Sequence, residues 1–177
     1  MAKPKLNDFK KYLADLDEAA LRGELLKLFG KLAQVQEFYA QELMSGEDRK
    51  EILEGYKKKV HGHFYTRGGN PRNSVSNADL RKLMTEFEKI SVFPHELVDL
   101  LLYRVEVATG FANEFYGMPD ANYKAATTAF EKAVKLMAEH KLEAHFEARC
   151  AELFRADNVD YWYIEGLEYT YDEQFGK

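Results

Sequence analysis

Cysteine is almost missing from this chain. Cys150 stands alone among 177 residues, so no internal disulfide can form and a reducing cytosol is the expected setting. Proline is scarce at four residues and glycine modest at 11, which leaves little room for long structureless segments. No uninterrupted apolar run is long enough for a membrane span: the most apolar stretch, 94–116, is broken by Glu96, Asp99, Arg104, Glu106 and Glu114, charges that are expensive in lipid. The opening Met-Ala-Lys-Pro-Lys-Leu lacks the apolar centre of a signal peptide. No segment alternates with period two, so no sheet is expected. A net charge of −5 gives the whole molecule no broad attraction for nucleic acid or anionic membrane, and no membrane partner is expected.

What the chain does have is helical periodicity. The hydrophobic share of 46% is ample for a core. The organising stretch is 94–116, opened by Pro94, which suits a first helical turn because its missing N–H is no loss there. It predicts a rod of roughly 34 Å. Leu97, Leu101, Val105, Ala108, Ala112 and Phe115 follow 3/4 spacing on one face, with Leu100, Val107 and Phe111 beside them and Val98 and Leu102 on the other flank. So wide an apolar sector predicts neighbours on two sides. Glu96, Asp99, Tyr103, Glu106, Gly110 and Asn113 recur at the same spacing and predict one narrow wet stripe.

Before this rod, 6–16 reads as a short helix with Asn7 as its N-cap, and Asp17 opens a second helix with a break or bend near Gly30. A third helix ends by Ser45-Gly46, and a fourth covers 47–64 with Ile52, Leu53, Tyr56 and Val60 inward. Residues 66–76 (TRGGNPRNSVS) form the clearest loop, after which Asn77 is expected to cap a fifth helix. Beyond the rod lie helices over 121–141 and 142–154, and a last one that Asn158 is expected to cap. The fold class is therefore all-α: about eight helices as stacked antiparallel hairpins, α-solenoid-like or an irregular bundle. The segments Leu21-Arg22-x-x-Leu25-x-x-x-Phe29-x-Lys31 and Leu80-Arg81-x-x-Met84-x-x-Phe87-x-Lys89 look alike, which suits a repeated hairpin. A single domain over 1–177 is expected, with an N-terminal subregion 1–64 and a body 77–177 joined by the loop 65–76.

Charge is uneven. Residues 55–82 hold seven basic side chains (Lys57, Lys58, Lys59, Arg67, Arg72, Arg81 and Lys82) against Asp79 alone, whereas 142–177 hold nine acids against three bases. Lysines in the last turns of a helix suit its dipole, and arginines read phosphate or carboxylate bidentately. Lys57, Lys58, Lys59, His61, His63, Arg67, Arg72 and Arg81 are thus the candidate surface for an acidic protein segment or a phosphate-bearing ligand. The Gly-x-x-x-x-Gly-Lys-Ser/Thr loop is absent. The aromatic end (Tyr161, Trp162, Tyr163, Tyr169, Tyr171 and Phe175) carries more rings than one helix face can bury, which makes Trp162 a candidate partner anchor.

Catalytic patterns are wanting. His61-x-His63 chelates poorly on a helix, where i and i+2 point apart, and no Glu-x-x-His pair is present. Cys150 shares a helix face with Phe146 and Leu153 and reads as a core thiol. No catalytic residue, metal or cofactor is expected.

The chain resembles an uncharacterised bacterial all-helical family, a domain of unknown function. The resemblance lies in the order of Leu80-Arg81-Lys82-Leu83 through Phe87-Glu88-Lys89-Ile90, then Phe93-Pro94-His95-Glu96-Leu97, then Val105-Glu106-Val107 through Phe115, and in the closing 169–175. It implies an all-helical fold and transfers no functional residue. The expected protein is a cytoplasmic, non-enzymatic interaction module with a protein partner. Binding of RNA or another phosphate-rich ligand through 57–82 is the alternative, and an enzyme without a recognisable site comes third.

Overall fold

The computed structural model describes residues 5–176, the side chains of residues 37 and 41 apart. The first four residues, which bear on the reading of a missing leader, lie outside them. Among the described residues the chain is all-α, with nine helices and no strand: α1 (Leu6–Ala14), α2 (Glu18–Lys31), α3 (Ala33–Leu43), α4 (Gly46–Phe64), α5 (Asn77–Ile90), α6 (Pro94–Phe115), α7 (Asp120–His140), α8 (Glu143–Leu153) and α9 (Tyr161–Phe175). They fall into two compact units, Met1–Leu43 and Met44–Lys177. The division lies ahead of α4 rather than in the loop 65–76, because Leu53, Val60 and Phe64 of α4 belong to the core of the second unit.

In the first unit α2 and α3 form an antiparallel hairpin. Asp17 caps α2 by accepting the Ala20 N–H at 2.8 Å, as its position before a negative first turn predicts. The break expected near Gly30 falls at Leu32, whose backbone is extended, while Gly30 itself stays helical. The Gln36 amide donates to the Phe29 carbonyl at 2.8 Å and so satisfies one of the open carbonyls at the end of α2. Asn7 does not cap α1; Lys5 holds the N-cap position, and its N–H donates to the Asp8 carboxylate. No described residue from 5 to 43 is buried, and Leu25, Leu26, Phe29, Tyr39 and Leu43 line an apolar groove of about 330 Å³.

The second unit is built on α6. Leu97, Val98, Leu100, Leu101, Leu102, Val105, Ala108, Phe111 and Ala112 are all buried, so the wide apolar sector is covered on both flanks. Only Phe115, at the helix end, is left largely open. Arg49 meets Glu96, Lys57 meets Asp99 and Phe64 meets Phe111, so α4 runs alongside α6 in the same direction. Asn77 meets Asn122 and Glu88 meets Lys132, so α5 and α7 are likewise parallel neighbours. The hairpin α4–α5 therefore stacks in register on the hairpin α6–α7. Tyr123 of α7 packs on Tyr163 of α9, which extends the second row.

Two caps differ from expectation. Ser76, not Asn77, caps α5 by accepting the Asp79 N–H. The Asn77 amide instead donates to the Ala121 carbonyl and to Asn122 Oδ1 at 2.7 Å, tying the starts of α5 and α7 together. Asn158 does not cap α9, which begins at Tyr161; its N–H donates to Asn113 Oδ1 at 2.9 Å.

The polar stripe of α6 is only partly wet: Gly110 is exposed, while the three carboxylates are engaged by cations. Glu96 is buried and bonded to Arg49. Asp99 accepts from Lys57 and Arg149, and both Glu106 oxygens accept from Arg149, at 2.6 and 3.0 Å. Periodicity reports that these positions are polar, whereas their cations arrive from 42–50 residues away in the chain. For Arg149, burial works to lower the pKa, and the hydrogen bonds and charges of Glu106 and Asp99 outweigh it, so the net shift is upward.

Candidate anion-binding site

The basic residues of 57–82 stand in different surroundings. Lys57 turns inward and is held by Asp99 at 2.9 Å and Glu54 at 3.1 Å. Lys58 is exposed, and Lys59 lies over the Tyr56 ring at 4.4 Å. His61 stacks on Tyr65, and His63 is half-buried two residues along α4. The loop that follows is closed by an isolated bridge between Tyr65 and Pro71 and by the Thr66 N–H donating to the Asn70 carbonyl at 2.8 Å. Arg67 is exposed on it. Arg72 donates through Nε to the Gly62 carbonyl at 2.6 Å, closing the end of α4 as cations at helix C-termini do. Trp162 is half exposed, edge-on to Tyr123 at 5.3 Å, and Tyr161 and Tyr169 are more open still. Tyr163, Ile164, Leu167 and Tyr171 take the inner side of α9.

Arg81 lines a cleft. It lies on α5, one turn before Thr85 and two before Glu88, on the side of the helix that meets α6 and α7. There the three helices leave a cleft of about 190 Å³ whose lining includes Arg81, Glu88, Arg104, Lys132 and the hydroxyl-bearing Thr85 and Thr128. Met84, Leu101, Ala125 and Ala129 supply its apolar part. The two threonine hydroxyls donate back to helix carbonyls, those of Arg81 and Lys124, and keep lone pairs toward the space.

Arg104 is the unusual member. It is only 7% exposed, yet no carboxylate among the described residues pairs with it. Buried arginines are ordinarily paired and hydrogen-bonded, because taking a charge out of water is costly. Burial lowers the Arg104 pKa, and the neighbouring Arg81 charge lowers it further. A guanidinium nevertheless keeps its proton, so the site stays cationic. Lys132 is already engaged, donating to Glu88 at 2.6 Å. The three cations therefore line the cleft with one carboxylate, and among the described residues neither guanidinium has an ion-pair partner.

The sequence alone shows Arg104 as one more charge interrupting the rod. A signal was present: Arg104 stands three residues after Leu101 and four before Ala108, inside the apolar line rather than on the polar stripe. Lys132 and Glu88 gave no such signal, since each lies on the outward side of its own helix pattern.

Fold and cleft together define a class: an all-helical scaffold of stacked hairpins with a cationic cleft between three of its helices. The chain belongs to DUF6155, a family of unknown function, whose model matches residues 2–171. No curated protein and no solved structure matches it. Among the described residues no helix is long and apolar enough to cross a membrane.

Proposed function

We propose that the chain is a non-enzymatic binding protein whose stacked hairpins hold an anionic ligand between α5, α6 and α7. One observation supports this above the others: the buried, carboxylate-free Arg104 opening on a cleft beside Arg81. A guanidinium pair offers a planar fork of donors that suits phosphate or carboxylate oxygens, in surroundings where each charge-assisted bond is strong. Titration calorimetry of the full chain with inorganic phosphate at low salt is expected to give saturable one-site binding, weakened about threefold to tenfold by Arg81→Ala at the exposed rim. Absence of any binding at low salt would sink the proposal. RNA along the 57–82 surface is the weaker form of this reading, since Lys57 and Arg72 are engaged within the protein. A bacterial cytoplasm is the proposed setting, in keeping with the single, buried Cys150. The matching segments 21–31 and 80–89, on α2 and α5, support a scaffold assembled from a repeated hairpin.

A second reading, protein contact at the C-terminal aromatics, is favoured by the half-open Trp162 flanked by Tyr161. Trp162→Ala is expected to cost a partner complex about 2 kcal/mol or more, as large interface aromatics do, with the far-ultraviolet circular dichroism unchanged. Recovery of the same partners by wild type and variant in quantitative affinity capture would remove this reading.

A further inference from the structure

We propose that the ligand of the α5–α6–α7 cleft is a small phosphate monoester, taken as its dianion. This rests on the reading that the cleft holds an anion, and it adds three constraints from the site. The first is charge. Arg81, Arg104 and Lys132 face Glu88 alone, so the complement is a group of charge near two. A phosphate monoester carries about −1.5 to −2 at neutral pH. A diester phosphate within a nucleic-acid strand carries only one negative charge, and a single carboxylate likewise.

The second constraint is size. The space of about 190 Å³ between the three helices is on the scale of a phosphoryl head with a few attached atoms. The third is the lining. Arg104, only 7% exposed, borders the cleft, and Met84, Leu101, Ala125 and Ala129 give the walls short apolar contacts. The phosphoryl group thus takes the guanidinium forks, with the threonine oxygens able to accept from a hydroxyl of the ligand. A short carbon chain lies against the methyl-bearing wall.

The pH behaviour follows from the ligand. The titratable and charged groups facing the phosphoryl position are Arg81 and Glu88 from α5, Arg104 from α6 and Lys132 from α7, with no histidine among them. The second ionisation of a phosphate monoester has a pKa near 6. Binding of the dianion is therefore lost as pH falls through that value, while binding of sulfate, which stays doubly charged, is not.

Titration calorimetry of the full chain tests this with glycerol 3-phosphate, sulfate, dimethyl phosphate, acetate and a phosphoserine peptide. Glycerol 3-phosphate is expected to bind at least about tenfold more tightly than dimethyl phosphate or acetate, and to weaken about tenfold between about pH 7.5 and about pH 5. Sulfate should change by less than about twofold over the same range, and Arg104→Met should abolish the monoester signal. Equal binding of diester or carboxylate, or an equal loss of sulfate binding at low pH, would overturn the monoester proposal and leave the anion reading standing. Tighter binding of the phosphoserine peptide would overturn the small-molecule source. If none of the anions binds, the anion reading itself fails.

Discussion

Arg104→Met is expected to make the unliganded protein more stable and the liganded one far weaker. The two effects have one cause. The guanidinium is largely buried and no carboxylate among the described residues pairs with it, so its desolvation is not offset by an ion pair. Methionine keeps an unbranched stem of similar reach and removes the charge. Replacing buried charged groups with well-packed apolar ones has stabilised other proteins by about 1–4 kcal/mol, and a gain of about 1 kcal/mol or more is expected here. Losing a buried, charge-assisted contact costs a complex about 2–5 kcal/mol, which is thirtyfold or more in affinity. Urea denaturation with an unchanged slope measures the first effect, and phosphate titration the second. A destabilised Arg104→Met protein would mean that the guanidinium serves the fold rather than a ligand.

Arg149→Met is expected to do the opposite, costing about 2–3 kcal/mol of stability with little effect on the cleft. Arg149 of α8 bridges Asp99 and Glu106, two turns apart on α6, while Lys57 of α4 takes the other oxygen of Asp99. This cluster joins α4 and α8 to the central helix. Removing the shared cation strands Glu106 and leaves Asp99 with Lys57 alone. Breaking a fully buried pair costs about 3–5 kcal/mol, and these side chains are 21–31% exposed, so the lower figure applies. Adding Glu106→Gln is expected to restore about 1 kcal/mol, because the stranded charge is then gone. A double variant no better than the single one would place the loss in packing rather than charge.

The periodicity of 94–116 made the central helix and its burial legible, because a 3.6-residue repeat over six turns has few other readings. Asp17 caps where an aspartate before an acidic first turn should. Asn77 was misplaced by one residue because Ser76 beside it is an equally good cap, and the choice between them was made by α7, which claims the Asn77 amide. The polar stripe reads as hydrated because a sequence shows the type of side chain and not its distant partner. The same blindness applied to the basic block: Lys57 and Arg72 look like available cations until Asp99 and the Gly62 carbonyl are found beside them. Arg104 is the converse case. Its spacing put a charge in the apolar line, and that mismatch between local chemistry and global burial is where functional groups are to be sought.

The most direct test is a crystal structure of the full chain grown or soaked with tungstate, a heavy tetrahedral dianion visible by its anomalous signal. The account predicts one strong site between α5, α6 and α7, within hydrogen-bond reach of Arg104 and Arg81, and its loss in Arg104→Met crystals. Tungstate bound only along the 58–72 surface, or an Arg104 side chain paired with a carboxylate in the crystal, would contradict it.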